Sequence, residues 1–126
     1  MPPVSPLAPE RFPDLPAVAG VRVAAGGCGV RYRGRDDLLL AELAEGTAVA
    51  GVFTRSRTAG HPVLWCRAVL PRGRARALVI NAGNANVFVG PAGDAAVRAE
   101  AEAAAALCGC PAEEVFVAST GVIGEP

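Results

Sequence analysis

The sequence predicts an α+β fold in which helices layer onto a sheet, and three observations point to it. Runs of apolar and β-branched residues of strand length recur through the first half of the chain. A strand, a long alanine-rich helix and a second strand follow one another in the second half. The composition, 52% hydrophobic against 19% charged over 126 residues, is that of a chain able to bury one core rather than of a disordered one.

Taken in order, residues 1–17 hold six of the eleven prolines. Proline fixes φ and removes a donor, so this stretch reads as a Pro-rich flexible arm, with the domain itself over residues 18–126. Residues 21–25 (VRVAA) read as a strand stopped by Gly26-Gly27. A polar turn around Gly34 follows, and residues 38–43 (LLLAEL) form an apolar run of strand length. Glu45-Gly46 is a turn signal, after which residues 47–54 (TAVAGVFT) read as a further strand and hairpin partner. Residues 61–70 read as a short helix, since Pro62 is tolerated in a first helical turn.

Residues 77–80 (ALVI) form a short apolar strand running into Asn81-Ala82-Gly83-Asn84-Ala85-Asn86, which reads as a loop of residues that tolerate unusual φ/ψ. Asp94 is the expected N-cap of a helix over 94–108, ended by Gly109 and Pro111. Residues 115–118 (VFVA) are the last strand, with residues 119–124 as a loop beyond it.

Acidic and basic residues balance at 12 each, so bulk charge gives no pull toward nucleic acid or membrane. All the basic residues are Arg. No stretch reaches the ~18 apolar residues of a membrane span. The first residues show no secretory pattern, so the four cysteines are expected as thiols in a cytoplasmic protein.

Two small-residue loops at strand ends, 81–86 and 119–124, are where layered α/β structures build sites. The Thr120 hydroxyl and the backbone N–H groups around Gly121 are donors, and donors fixed at a strand end suit a developing oxyanion. A plain Ser-Thr-Gly turn is the bland reading of the same residues, and on the residues alone it is the favoured one.

Ala118-Ser119-Thr120-Gly121-Val122-Ile123-Gly124 resembles the STGVIG segment of the ornithine acetyltransferase family, also called bifunctional glutamate N-acetyltransferases. Ile80-Asn81-Ala82-Gly83-Asn84-Ala85-Asn86 is similar to that family's N-[SA]-G-N-A-N segment, and Gly51-Val52-Phe53-Thr54 with Pro62-Val63 to its GVFT…PV stretch. The three stand in family order from about Val18 to the chain end. Two stretches depart from the pattern: Phe53-Thr54-Arg55-Ser56-Arg57, where FTTNR is frequent, and Gly27-Cys28-Gly29.

The resemblance implies the layered helix/sheet sandwich of the self-cleaving N-terminal-Thr acetyltransferases, incomplete in this chain. It implies transfer of acetyl from N-acetylornithine to glutamate in arginine biosynthesis, with acetyl-CoA accepted as donor by some members and no cofactor. It carries the oxyanion hole over to Thr120 and Gly121. The nucleophilic Thr, which self-cleavage makes the first residue of a second chain, has no counterpart here. The implied partner is that C-terminal β chain, in an α2β2 assembly. Asn81, Asn84 and Asn86 are expected to order the neighbouring loop rather than touch substrate.

Rival chemistries are weaker. Cys108-x-Cys110 with His61 and Cys66 lacks the usual zinc spacing, and a lone His makes no catalytic triad. Gly26-Gly27-Cys28-Gly29 lacks a nucleotide-binding spacing. A binding module using the Arg-rich turns 31–35 and 72–76 is the non-enzymatic alternative.

Overall fold

The computed structural model describes residues 4–125. Residues 4–20 are exposed and carry no helix or strand. The remainder folds as β1 (Val21–Gly26), β2 (Leu38–Leu43), α1 (His61–Val69), β3 (Ala77–Asn84), α2 (Pro91–Cys108) and β4 (Val115–Val122), with single 3₁₀ turns after α1 and before β4. The α+β reading holds. One four-stranded sheet runs in the order β1-β2-β3-β4. β1 and β3 each pair antiparallel with β2, while β3 and β4 lie parallel, joined through α2. A parallel pair needs a crossover of this kind, because a tight turn can only return the chain antiparallel.

Strand alternation sorts the side chains of β3 and β4 onto two faces. Ala77, Val79, Val115 and Val117 face α2 and meet its Val97, Ala101, Ala104 and Ala105. Alanine on the buried stripe of α2 lets the helix backbone approach the sheet closely. α1 lies instead along the free edge of β4. The Trp65 indole N–H donates to the Val115 carbonyl at 2.9 Å, and the Cys66 thiol donates to the Val117 carbonyl at 3.2 Å. Sulfur also accepts the Val117 N–H at 3.4 Å, so side chains satisfy backbone groups that a neighbouring strand would otherwise pair.

The face away from α2 is apolar too. Cross-strand register aligns Val23, Ala41, Leu78 and Phe116 in one row and Ala25, Leu39, Ile80 and Ala118 in the next. Val23 is 62% exposed at one end of the first row. The core of the described residues is built on the opposite side.

Three expectations are corrected. Residues 47–54 form no strand: the stretch makes one isolated bridge, Ala48 to Arg74, and Val52 is 97% exposed. Its β-forming composition finds no partner because both sides of β2 are taken by β1 and β3. The loops expected at 81–86 and 119–124 are strand as far as Asn84 and Val122, because the two segments pair with each other. Asp94 is not an N-cap; α2 starts three residues earlier at Pro91, behind Gly90 at φ 62°, and no side chain caps it. Gly109, at φ 62°, ends α2 in the left-handed conformation as expected.

Two predictions follow from this packing. The isolated chain should self-associate through its open apolar face, and sedimentation velocity should show species larger than a monomer; a monomer with a cooperative melt would make the chain a self-sufficient domain. The second concerns Glu100 on α2, whose Oε2 is buried without a partner and whose carboxyl burial pushes above its ordinary range. The native state then keeps this proton to higher pH than the unfolded chain does. Its contribution to stability is present at low pH and falls as pH rises through the ordinary glutamate range toward the raised native value. Glu100→Gln should flatten that fall and raise the urea midpoint at pH 7, measured against the parent at equal concentration.

Candidate oxyanion site at the ends of two parallel strands

The C-terminal ends of β3 and β4 run side by side in strict register: Asn81 opposite Ser119, Ala82 opposite Thr120, Gly83 opposite Gly121 and Asn84 opposite Val122. Alternation turns Asn81 and Ser119 toward the helical side and Thr120 toward the open face, the side of Phe116 and Ala118. Thr120 and Gly121 are exposed.

The two glycines meet at the narrowest point. Gly121 has φ 133° and Gly83 φ 140°, values side chains rarely adopt. A Cβ on Gly121 would stand 2.4 Å from both the carbonyl carbon and the oxygen of Gly83. A Cβ on Gly83 would stand 3.0 Å from Arg31 Cβ and 3.1 Å from Val30 Cγ1. Both positions therefore need glycine, for space as well as for conformation.

Beyond the ladder, the Ala85 N–H donates to the Val122 carbonyl and the Gly124 N–H to the Val87 carbonyl, each at 2.8 Å. Asn81 is buried and its Nδ2 donates to Asn84 Oδ1 at 2.9 Å. Asn86, buried at φ 49°, donates from Nδ2 to the Gly93 carbonyl at 3.1 Å. These amides hold the segment between β3 and α2. Asn81 Oδ1 and Ser119 Oγ are buried without partners.

His61 opens α1, and its Nδ1 lies 2.8 Å from Asp94 Oδ1. Its ring packs so closely on α2 that a Cβ on Gly93 would come within 2.2 Å of it. The pair ties the starts of the two helices together, and no hydrogen bond among the described residues links His61 to Ser119 or Thr120. Burial pushes the Cys66, Cys108 and Cys110 thiols above their ordinary range, which disfavours the thiolate a metal would need. The Arg-rich turns are used within the chain: Arg31 pairs with Glu125, Arg35 stacks over Tyr32, and Arg74 donates to the Gly46 carbonyl.

Asp37 is a residue that sequence reasoning missed. It is 2% exposed, and its carboxylate accepts the Cys28 N–H at 2.6 Å and the Val30 N–H at 2.7 Å. These backbone donors, Cys28 foremost, hold its carboxyl below the usual range against the opposing effect of burial. The available signal was the run Gly27-Cys28-Gly29, whose glycines let backbone N–H groups turn onto one acceptor.

The fold as a whole is similar to that of solved ornithine acetyltransferase and arginine biosynthesis structures. The crystal structure of ornithine acetyltransferase from Mycobacterium tuberculosis, complexed with ornithine, matches at a TM-score of 0.80 with 44% identity, covering 85% of this chain and 58% of that one. The arginine biosynthesis bifunctional protein of Bacillus halodurans matches at 0.75 with 29% identity, covering 85% and 56%. Arginine biosynthesis bifunctional proteins ArgJ from Bradyrhizobium diazoefficiens and Gluconobacter oxydans are 56% and 57% identical over 98% of this chain. The chain spans only 30% and 29% of their lengths. Residues 22–126 match the ArgJ family, and the chain belongs to it.

Gly121→Ala should be far more damaging than Gly124→Ala. Gly124 is also at positive φ, 83°, but has open space where a Cβ would go. Backbone strain of about 1–3 kcal/mol is common to both. The collision with Gly83 is added at Gly121 alone, and at roughly 4–8 °C per kcal/mol for a domain of this size the gap between the two melting temperatures should be plain. Equal melting temperatures would mean the β3–β4 approach is looser than described.

Proposed function

We propose that this chain is the oxyanion-stabilising portion of an enzyme that moves acetyl from N-acetylornithine to glutamate in arginine biosynthesis. The observation that carries the reading is Gly121 pressed against Gly83, with Thr120 exposed beside it on the open face of the sheet. A backbone so constrained keeps its N–H direction without reorganising during reaction, the property an oxyanion site needs. In this reading the Thr120 hydroxyl and Gly121 N–H are the donors.

The chemistry needs a second component. A Thr hydroxyl in the remaining part of the protein attacks the acetyl carbonyl, and its own α-amino group takes the proton. The tetrahedral intermediate places its negative oxygen against Thr120 and Gly121. Collapse expels the ornithine amine, which takes up that proton, and leaves an acetyl ester. The glutamate amine then attacks the ester and restores the hydroxyl. In members that use it, acetyl-CoA enters as an alternative donor to the same hydroxyl, so no bound cofactor is required. The partner is the nucleophile-bearing β chain, in an α2β2 assembly, and the reading carries a cytoplasmic location with it. The apolar rows of the open face offer that partner a seat.

The test places this chain in the position of the matching segment of the Bradyrhizobium diazoefficiens protein, with the nucleophile-bearing portion expressed as a separate chain so that self-cleavage plays no part. The pair should transfer acetyl, and this chain alone should not. Thr120→Val keeps the β-branched shape and removes the hydroxyl; it should lower kcat by ~100-fold or more with the melting temperature unchanged. Turnover at the parental rate, or activity lost only through unfolding, would reduce the segment to a turn.

A further inference from the structure

The loop between β1 and β2 plays no part in the chemistry above, yet it reaches the candidate site. We propose that Asp37 is a positioning residue for the Thr120–Gly121 donors, acting through this loop on Gly83; the inference rests on the oxyanion reading of those two residues.

The contacts run in an unbroken line. Asp37 sits at the foot of the loop, where its N–H donates to the Gly26 carbonyl at 3.1 Å and its own carbonyl accepts the Ala82 N–H at 2.8 Å. It is thereby fixed to the end of β1 and to the residue before Gly83. Its two carboxylate oxygens then take one N–H each, from Cys28 and Val30. Alternate N–H groups turned onto one anion form a closed backbone nest, here filled from within the chain. The loop also closes on itself: a Cβ on Gly27 would stand 2.9 Å from the Arg35 carbonyl oxygen.

The nest sets where Val30 and Arg31 lie, and these two residues stand where a Gly83 Cβ would project. Gly83 in turn presents its carbonyl to the Gly121 α-carbon. Arg31 reaches further and pairs with Glu125, past the end of β4. The loop thus holds both strand ends, β3 by contact at Gly83 and the chain after β4 by an ion pair. Without the carboxylate, two N–H groups lose their acceptor, Val30 and Arg31 shift, and Gly83 and Gly121 gain room to turn their peptides away from the reacting oxygen.

A double-mutant cycle in the two-chain enzyme described above tests this. Asp37→Asn keeps the size, removes the charge and turns one acceptor into a donor facing an N–H. It should lower kcat ~10-fold with KM for both substrates within ~2-fold, since the donors act on the charged intermediate rather than on bound substrate. In a Thr120→Val background the same substitution should cost less than ~3-fold, because residues acting through one site are not additive. A merely structural Asp37 would lower kcat by the same factor in both backgrounds, and that result, or an unchanged kcat, overturns the proposal. Val30→Ala, which trims an exposed side chain over Gly83, is read in the same cycle with the same two outcomes, so a poorly folding Asp37→Asn leaves the question answerable. If Thr120→Val turns over like the parent, the oxyanion reading falls and the positioning role with it. If Thr120→Val is slow but the cycle is additive, only the positioning role falls.

Discussion

Everything near the candidate site depends on how closely the backbones of β3 and β4 approach at one register position. Parallel strands lie about 4.8 Å apart, a spacing their hydrogen bonds set, with Cβ atoms projecting above and below the sheet. Gly83 and Gly121 lack them, and the Gly121 α-carbon comes within van der Waals reach of the Gly83 carbonyl. At that contact Gly83 and Gly121 take φ values of 140° and 133°, and Thr120 stands exposed one residue before it. The parallel pairing is equally necessary: only strands running the same way bring two C-terminal ends to one place.

Elements whose signal is local could be read from the sequence alone. Strands at 21–25, 38–43, 77–80 and 115–118 lie inside observed strands, and the helices after Gly60 and before Gly109 are where proline, alanine and glycine placed them. Elements whose state depends on a distant neighbour could not. The stretch 47–54 has the composition of a strand, but β2, the strand it follows, already has β1 and β3 on its two sides, whereas Asn81 to Asn84 look like a turn and become strand because residues 119–122 pair with them. Asn, Gly and Ala carry little strand propensity; the ladder, not the side chains, fixes them.

The placement of the candidate site was legible to a similar degree and for the same reason. Thr120 and Gly121 stood out through a family motif, a record of chemistry that short-range physics does not encode. Gly83 gave no hint that it would be Gly121's neighbour, since that fact belongs to the register of a crossover spanning α2. Asp37 was hidden among charges: with Asp36 before it and Arg31, Arg33 and Arg35 close by, it reads as part of a solvated turn. Only the fold shows its carboxylate turned inward onto backbone N–H groups.

The treatment of the β4 edge gives the sheet a polarity of growth. Trp65 and Cys66 occupy the backbone groups of Val115 and Val117 that another strand would need, so lateral extension is closed on that side. Such extension is left to the β1 border, where Arg22 and its ion pair with Glu42 mark the rim. Enlargement in the remaining direction must proceed by stacking, layer upon layer, from the bare side of the sheet. A molecule built this way lends itself to a finite sandwich rather than to an endless ribbon.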